Sequence, residues 1–276
     1  MHNTHHITTS LTQHHDTIQS WLEDEESQLE LPLYASVDIR DAQFKTCVID
    51  SNIFPGGFNN LCQMAVEQAI PVLKSAILQR QSPCRNILMI CEEHTRNTWY
   101  LENIYSLQEM IKKAGFKVTL ASFFSGINSK KESLELETAH KNIIKLHQAQ
   151  SIIDKVLSHK KHYDLAILNH DLTTGIPEHL KSLPLPIFPS MYAGWYTRSK
   201  ANHFEYANAY LKAFSDKLGL DPWLFSTQFR KAIDIDINNK NDQNTLIEHA
   251  SQLHQTIQAK YKEHNITEKP FMFLKS

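Results

Sequence analysis

Asn86-Ile87-Leu88-Met89-Ile90-Cys91 runs directly into Glu92-Glu93-His94-Thr95-Arg96-Asn97, and the reading of this stretch decides the fold. A short apolar run rich in β formers breaks off into a dense polar cluster. Two further runs repeat the design. Leu165-Ala166-Ile167-Leu168 gives way to Asn169-His170-Asp171, and Pro186-Ile187-Phe188 precedes Ala193-Gly194-Trp195-Tyr196-Thr197-Arg198-Ser199-Lys200. Runs this short, separated by helical stretches, predict strands of a parallel α/β sheet. Ligands of such sheets bind beyond the carboxyl ends of the strands, where these polar clusters fall. A polar small-molecule site is the expectation.

Working outward, the 276 residues allow one large or two modest domains. The 28 Lys and Arg nearly balance the 30 Asp and Glu, so no overall field favours nucleic acid or a membrane surface. Cys47, Cys62, Cys84 and Cys91 form no C-x-x-C pair and read as free thiols of a reducing, cytoplasmic protein. The N-terminus lacks the apolar core of a signal peptide, and no later run is long enough to span a bilayer. His2, His5, His6, His14 and His15 lack the fixed spacing of a metal site and are expected in a solvated tail.

Ser10 is expected to cap a helix reaching about residue 30. The stretch 31–52 reads as strand, turn and strand, with Asp41 near its middle. Phe54 to Asn60 opens a helix to about Arg80 that Pro71 should kink. Thr95 caps the next helix, Gly115 stops it, and 116–120 resumes as strand. Ser125 to Glu132 reads as a polar loop followed by a long helix to about His162. Arg198 to Leu218, a short turn from Asp221, and Asp242 to His264 read as helical, with Asp234 to Asn244 as a flexible connection. Glu268 to Ser276 reads as an entering strand with no following partner. The organisation predicted is a helical segment over 1–35, a Rossmann-like domain over 36–190, a mostly helical connection over 191–267, and a first strand of a further domain over 268–276.

The clusters carry the chemistry. Gly56-Gly57 precedes a predicted helix start bearing Asn59 and Asn60, which suits a carboxylate or phosphate and equally a tight turn with an Asn cap. Arg96 can grip a carboxylate with two parallel bonds, and Asn97 can orient an amine or carbonyl. Glu92 and Glu93 can receive an ammonium, or one of them can complement a helix dipole. Asn169 and Asp171 can contact a ligand or cap the turn toward Gly175. Arg198 and Lys200 place cations at a helix start, where the dipole disfavours them, and that cost points to an anionic ligand. No G-x-G-x-x-G or P-loop pattern occurs, nor a carboxylate set spaced for magnesium with phosphates.

In order, 36–40 continuing to 49–61, 94–103, 169–172, 193–195, 202–204 and 221–223 resemble the proteobacterial type of glutamate–cysteine ligase, an ATP-grasp-like family. The resemblance spans residues 36 to 276. It implies an α/β, Rossmann-like (pre-ATP-grasp), mainly parallel sheet flanked by helices, then a helical segment and the start of an ATP-grasp domain. It also implies ATP-dependent joining of the γ-carboxylate of L-glutamate to the amine of L-cysteine through a γ-glutamyl phosphate, with Mg2+, as the first step of glutathione synthesis. Substrate binding is implied for Arg40 and Asn52 beside Asn59, Asn60, Arg96, Asn97, Asn169, Asp171, Arg198 and Lys200.

Lys275 is the candidate nucleotide contact. In the family the strand around it leads into a glycine-rich phosphate-covering loop. The 276-residue chain is therefore expected to fold but to make no dipeptide alone, with Phe271–Leu274 exposed and encouraging association into a homo-oligomer. Tyr196 to Lys200 is less basic than the family's equivalent run, which weakens an anion contact there. Two alternatives stay open: a non-catalytic binding module of the same fold, and an unrelated nucleotide-sugar transferase.

Overall fold

A computed structural model describes residues 4–54, 56–127 and 132–275, with side chains from residue 7 onward. Pro55, the middle of the predicted 125–132 loop, His2 and the side chains of His5 and His6 lie outside the described residues. In chain order the elements are α1 (Thr4–Gln13), α2 (His15–Ser27), β1 (Ser36–Asp41), β2 (Thr46–Asn52), α3 (Gln63–Arg80), β3 (Asn86–Cys91), α4 (Thr98–Lys113) and β4 (Lys117–Ser122). They continue with β5 (Ser133–Glu137), β6 (Ile143–Gln148), α5 (Ala149–Leu157), β7 (Leu165–Asn169), α6 (Glu178–Lys181), β8 (Ile187–Phe188), α7 (Lys200–Leu218) and α8 (Lys240–Glu263).

Six strands form one sheet in the order β5-β6-β4-β3-β7-β8. Its pairs are parallel apart from β5–β6. Strand side chains alternate between faces, and the core divides accordingly. Ile87, Met89, Leu165 and Ile167 pack with Leu73 and Ile77 of α3 and with Leu101, Ile104, Leu107 and Ile111 of α4. Leu88, Ile90, Ala166 and Leu168 pack with Ile152, Ile153 and Val156 of α5 and Leu180 of α6. Being buried on both faces explains why β3 and β7 read as continuous apolar runs.

The chain divides into two compact units. One contains residues 30–36 and 52–198, and so the six-stranded sheet. The other contains 1–29, 37–51 and 199–276. Its core holds Ile7, Phe44, Leu218, Trp223 and Ile266. Phe44 stacks on Trp223 with ring centroids 6.4 Å apart, and Lys45 Nζ sits 4.3 Å above the Trp223 ring. Burial brings the Lys45 ammonium down to about 8.

Several expectations need correction. β1 and β2 form a separate two-stranded sheet, so the parallel sheet does not begin at residue 36. The stretch holding His5, His6, His14 and His15 is not a simple tail: the backbone is helical from Thr4, and Ser10 lies within α1 rather than at a cap. The helix breaks at His14, whose Nδ1 lies 2.8 Å from the Ser10 carbonyl oxygen. The helix after Gly57 begins at Gln63, beyond a 3-10 turn over Phe58–Asn60.

The predicted long helix before residue 162 is mostly the β5–β6 hairpin, with α5 only at its end. Leu134 and Leu136, like Ile144 and Leu146, alternate with polar residues at a period of two. Buried Glu102 of α4 holds the hairpin turn, accepting from Thr138 Oγ1, His140 N–H (2.9 Å) and Asn142 Nδ2 (3.1 Å). Polar residues 240 and 241, expected in a connection, already belong to α8. Residues 268–275 form no strand, and Phe271, Phe273 and Leu274 are largely exposed. No helix among the described residues is long and apolar enough to cross a membrane.

Candidate functional site

Cys91 and Asn169 are register partners at the ends of the parallel strands β3 and β7. The polar residues that follow each strand therefore leave the sheet at the same edge. The contacts agree: the Asp171 N–H donates to Glu92 Oε1 at 2.6 Å. Leu172 N–H donates to His170 Nδ1 at 3.0 Å. That bond makes Nδ1 an acceptor and puts the proton of the neutral ring on Nε2. The 3.6 Å approach of His170 Nδ1 to Glu92 Oε1 is then no ion pair. Burial holds His170 below the ordinary imidazole value.

Glu92 is the unusual group. Its side chain keeps 18% of its surface exposed. Burial pushes its carboxyl up to about 7; the Asp171 N–H opposes this, while the negative charges of Asp171 and Glu93 add to it. Asp171 is held in place by its own loop: its Oδ1 accepts from Thr173 N–H (3.0 Å) and Thr173 Oγ1 (2.6 Å). Its carbonyl accepts from Trp195 N–H at 2.8 Å, tying the 190–198 loop to the same edge. Gly194 permits that crossing, because a Cβ there would come within 2.8 Å of the Leu172 Cβ.

Beside this acidic group is a cleft of about 360 Å3, with Gly56, Gly57, Asn59 and Asn60 on one side and Asn97, Trp99, Tyr100 and Asn103 on the other. Gly57 has φ 87°, a left-handed conformation natural to glycine, and starts the 3-10 turn. Tyr100 connects the two features: it lines the cleft, and its hydroxyl oxygen accepts the Glu92 N–H at 2.7 Å. Asn97, not Thr95, caps α4, its Oδ1 accepting from Trp99 N–H and Tyr100 N–H at 3.1 Å each. Asn103 is 3% exposed, and its Oδ1 accepts from Phe58 N–H at 2.9 Å.

The other expected site residues are placed as follows. Arg96 precedes the Asn97 cap and is exposed, outside the cleft lining. Asn169 ends β7 and is 4% exposed, and Asn52 Oδ1 accepts from Phe54 N–H at 2.8 Å. The Arg198 guanidinium lies 5.1 Å above the Trp195 ring, and Arg198 falls before Ser199, the cap of α7. It is therefore not a helix-start cation. Arg40, Lys200 and Lys275 belong to the other unit. Arg40 is exposed on β1 and Lys275 is exposed outside any strand. Lys200 pairs with Asp50 at 2.8 Å, so the cost of a cation at the α7 start is met within the protein and no longer argues for an anionic ligand.

Tyr100 and Asn103 were missed as site residues. Helical spacing marks Tyr100 as core-facing, and Asn103 is the polar interruption of that apolar face, which was the available signal.

Among the described residues, two groups of His and carboxylate side chains bring ligand atoms within 4.8 Å: Glu92–His170–Asp171 and Asp221–Glu263–His264. Magnesium takes oxygen ligands in near-octahedral geometry. His170 Nδ1 and one Glu92 oxygen already accept backbone N–H groups. Asp221 Oδ2 lies 2.9 Å from both Lys260 Nζ and His264 Nε2. Neither group fits a magnesium ion.

The model of the family described as GshA, glutamate-cysteine ligase, matches residues 8–276. The fold is similar to the crystal structure of a "Putative gamma-glutamylcysteine synthetase" from Methylobacillus flagellatus KT, with a TM-score of 0.85 and 30% identity. The match covers 94% of this chain and 60% of that one, so the chain spans less than two thirds of its neighbour's length. No curated protein sequence matches the chain.

Proposed function

The chain belongs to the glutamate-cysteine ligase family, and on that premise we propose that it serves the ATP-dependent joining of L-glutamate, through its γ-carboxylate, to the amine of L-cysteine. In this reading the edge beyond β3 and β7 carries the amino-acid side of the reaction. The observation that carries it is the meeting of Glu92 with the Asp171 loop at that edge, beside a cleft lined by amides. An ammonium approaching Glu92 and Asp171 favours the ionised form of a carboxyl that otherwise titrates near neutrality, gaining a charge-assisted bond as it does so. Arg96, exposed one residue before the α4 cap, serves as a grip for a substrate carboxylate from the solvent side.

ATP and magnesium belong to the same reading through the family. Among the described residues neither acidic group fits the metal, and Lys275, the candidate phosphate contact, is exposed outside any strand. What these residues are proposed to do is bind and orient the amino acids. The test follows ADP and γ-glutamylcysteine formed by the protein in its natural extent with ATP, magnesium and both amino acids. Dipeptide that needs both amino acids supports the proposal. ADP release indifferent to them, with no dipeptide, contradicts it.

A further inference from the structure

Three of the four amide groups of the cleft share one arrangement; Asn59 does not, because its Nδ2 is the donor to Asn60. Asn60 Oδ1 accepts from Asn59 Nδ2 at 3.2 Å. Asn97 Oδ1 is taken by the two N–H groups of the α4 start, and Asn103 Oδ1 by Phe58 N–H. In each the acceptor end is engaged within the protein, which leaves the NH2 end for another partner. At Asn103 the consequence is sharp. The Phe58 bond fixes which end of the amide is which, and Nδ2 is buried with no hydrogen-bond partner among the described residues. Leaving such a donor unsatisfied is costly, because burial removes the water that would otherwise pair with it. Among the described residues no lining residue carries a charge, so none of them supplies an acceptor in the form of a carboxylate.

We propose that this cleft is a carboxylate subsite, in which the NH2 groups of Asn60, Asn97 and Asn103 converge on the carboxylate of an amino-acid substrate, and that Asn103 determines its specificity. The inference rests on the reading of this edge as an amino-acid site and names the group held there. Neutral amide donors suit a singly charged carboxylate. A phosphate dianion, with no Lys or Arg among the described lining residues, would find no charged partner there. Because Nδ2 is covered, the Gly56–Asn60 turn has to shift slightly as the ligand seats, and Gly57 gives the turn the latitude to do so.

The test is calorimetric titration of the 276-residue chain and two variants at pH 8. Asn103→Asp keeps an acceptor for Phe58 N–H but replaces the donor with a negative oxygen. Asn60→Asp makes the same change at an exposed position where folding is not at stake. The probes are L-glutamate, L-cysteine, their fully methyl-esterified forms, glutarate and inorganic phosphate. The expectation is that at least one amino acid binds and that each variant weakens it at least tenfold. Its ester should bind weakly and lose no affinity in either variant, and phosphate should not compete. Amino acids that bind both variants as tightly as the wild type, with the Phe58 amide still protected from hydrogen exchange, overturn the inference and leave the ligase reading standing. Displacement by phosphate also overturns it. Glutarate that binds and is lost in both variants, while neither amino acid binds, supports the subsite and contradicts the ligase reading.

Discussion

Glu92 carries a chemistry that its neighbours in sequence do not. Burial beside Asp171 raises its carboxyl from 4.5 to about 7, so the folded protein holds a proton there that the unfolded chain gives up. The folded state thus binds more protons between those two values, and stability falls as pH rises through that window. Glu92→Gln keeps an amide oxygen for the Asp171 N–H and removes the charge. Its unfolding free energy should match the wild type near pH 5 and exceed it by roughly 1–3 kcal/mol at pH 8. A difference that does not change with pH would mean that Glu92 titrates normally. At Arg96 the expectation is kinetic: Arg96→Ala in the protein's natural extent should raise the KM for glutamate or cysteine at least about tenfold, ~1.4 kcal/mol. Unchanged kinetics with a lowered melting temperature would make the residue structural. At this scale the sequence was partly legible. Asn97 and Asp171 were candidates by type and position, yet Asn97 spends its oxygen on the start of α4 and Asp171 one of its own on Thr173, and no spacing rule shows which end of an amide remains for a ligand. Asn103 was hidden because its value comes from Phe58, forty-five positions away in the chain.

Among the elements, the strands that decide the fold were easy to read and the β5–β6 hairpin was not. β3 and β7 are buried on both faces and declare themselves as unbroken apolar runs. β5 and β6 lie at and beside a sheet edge, half exposed, with Glu and Lys between their apolar residues. Those residues favour helix locally, and tertiary pairing overrides the preference. Glu102 supplies part of that override. Burial opposes its ionisation, but the donors from Thr138, His140 and Asn142 outweigh it and hold the carboxyl below the ordinary value. Its contribution is present above the unfolded carboxyl value and is lost as pH falls toward the depressed one. Glu102→Ala should cost about 2–3 kcal/mol by leaving those donors unpaired. It should also speed hydrogen exchange in β5 and β6 while sparing β3 and β7. Uniform loosening of all six strands would contradict a local role.

For the whole molecule, the order of the segments carried more than any one of them. The α/β class, the central parallel sheet and the shared edge of 92–97 and 169–171 were readable from run lengths and polar breaks. The departure of 37–51 from that sheet was not, because its β-branched residues fit a two-stranded ribbon as well as a sheet interior. Membership of the glutamate-cysteine ligase family over 8–276 and the 0.85 TM-score support the architecture, and the site rests on the edge geometry. The most direct test of that site is a backbone amide NMR titration of the chain with L-glutamate and with L-cysteine. Shifts concentrated in 56–60, 92–103 and 169–172 are expected, with the Asn60, Asn97 and Asn103 side-chain amides moving in step. Saturable shifts confined to residues outside these segments, or no saturable shift with either amino acid, would contradict it.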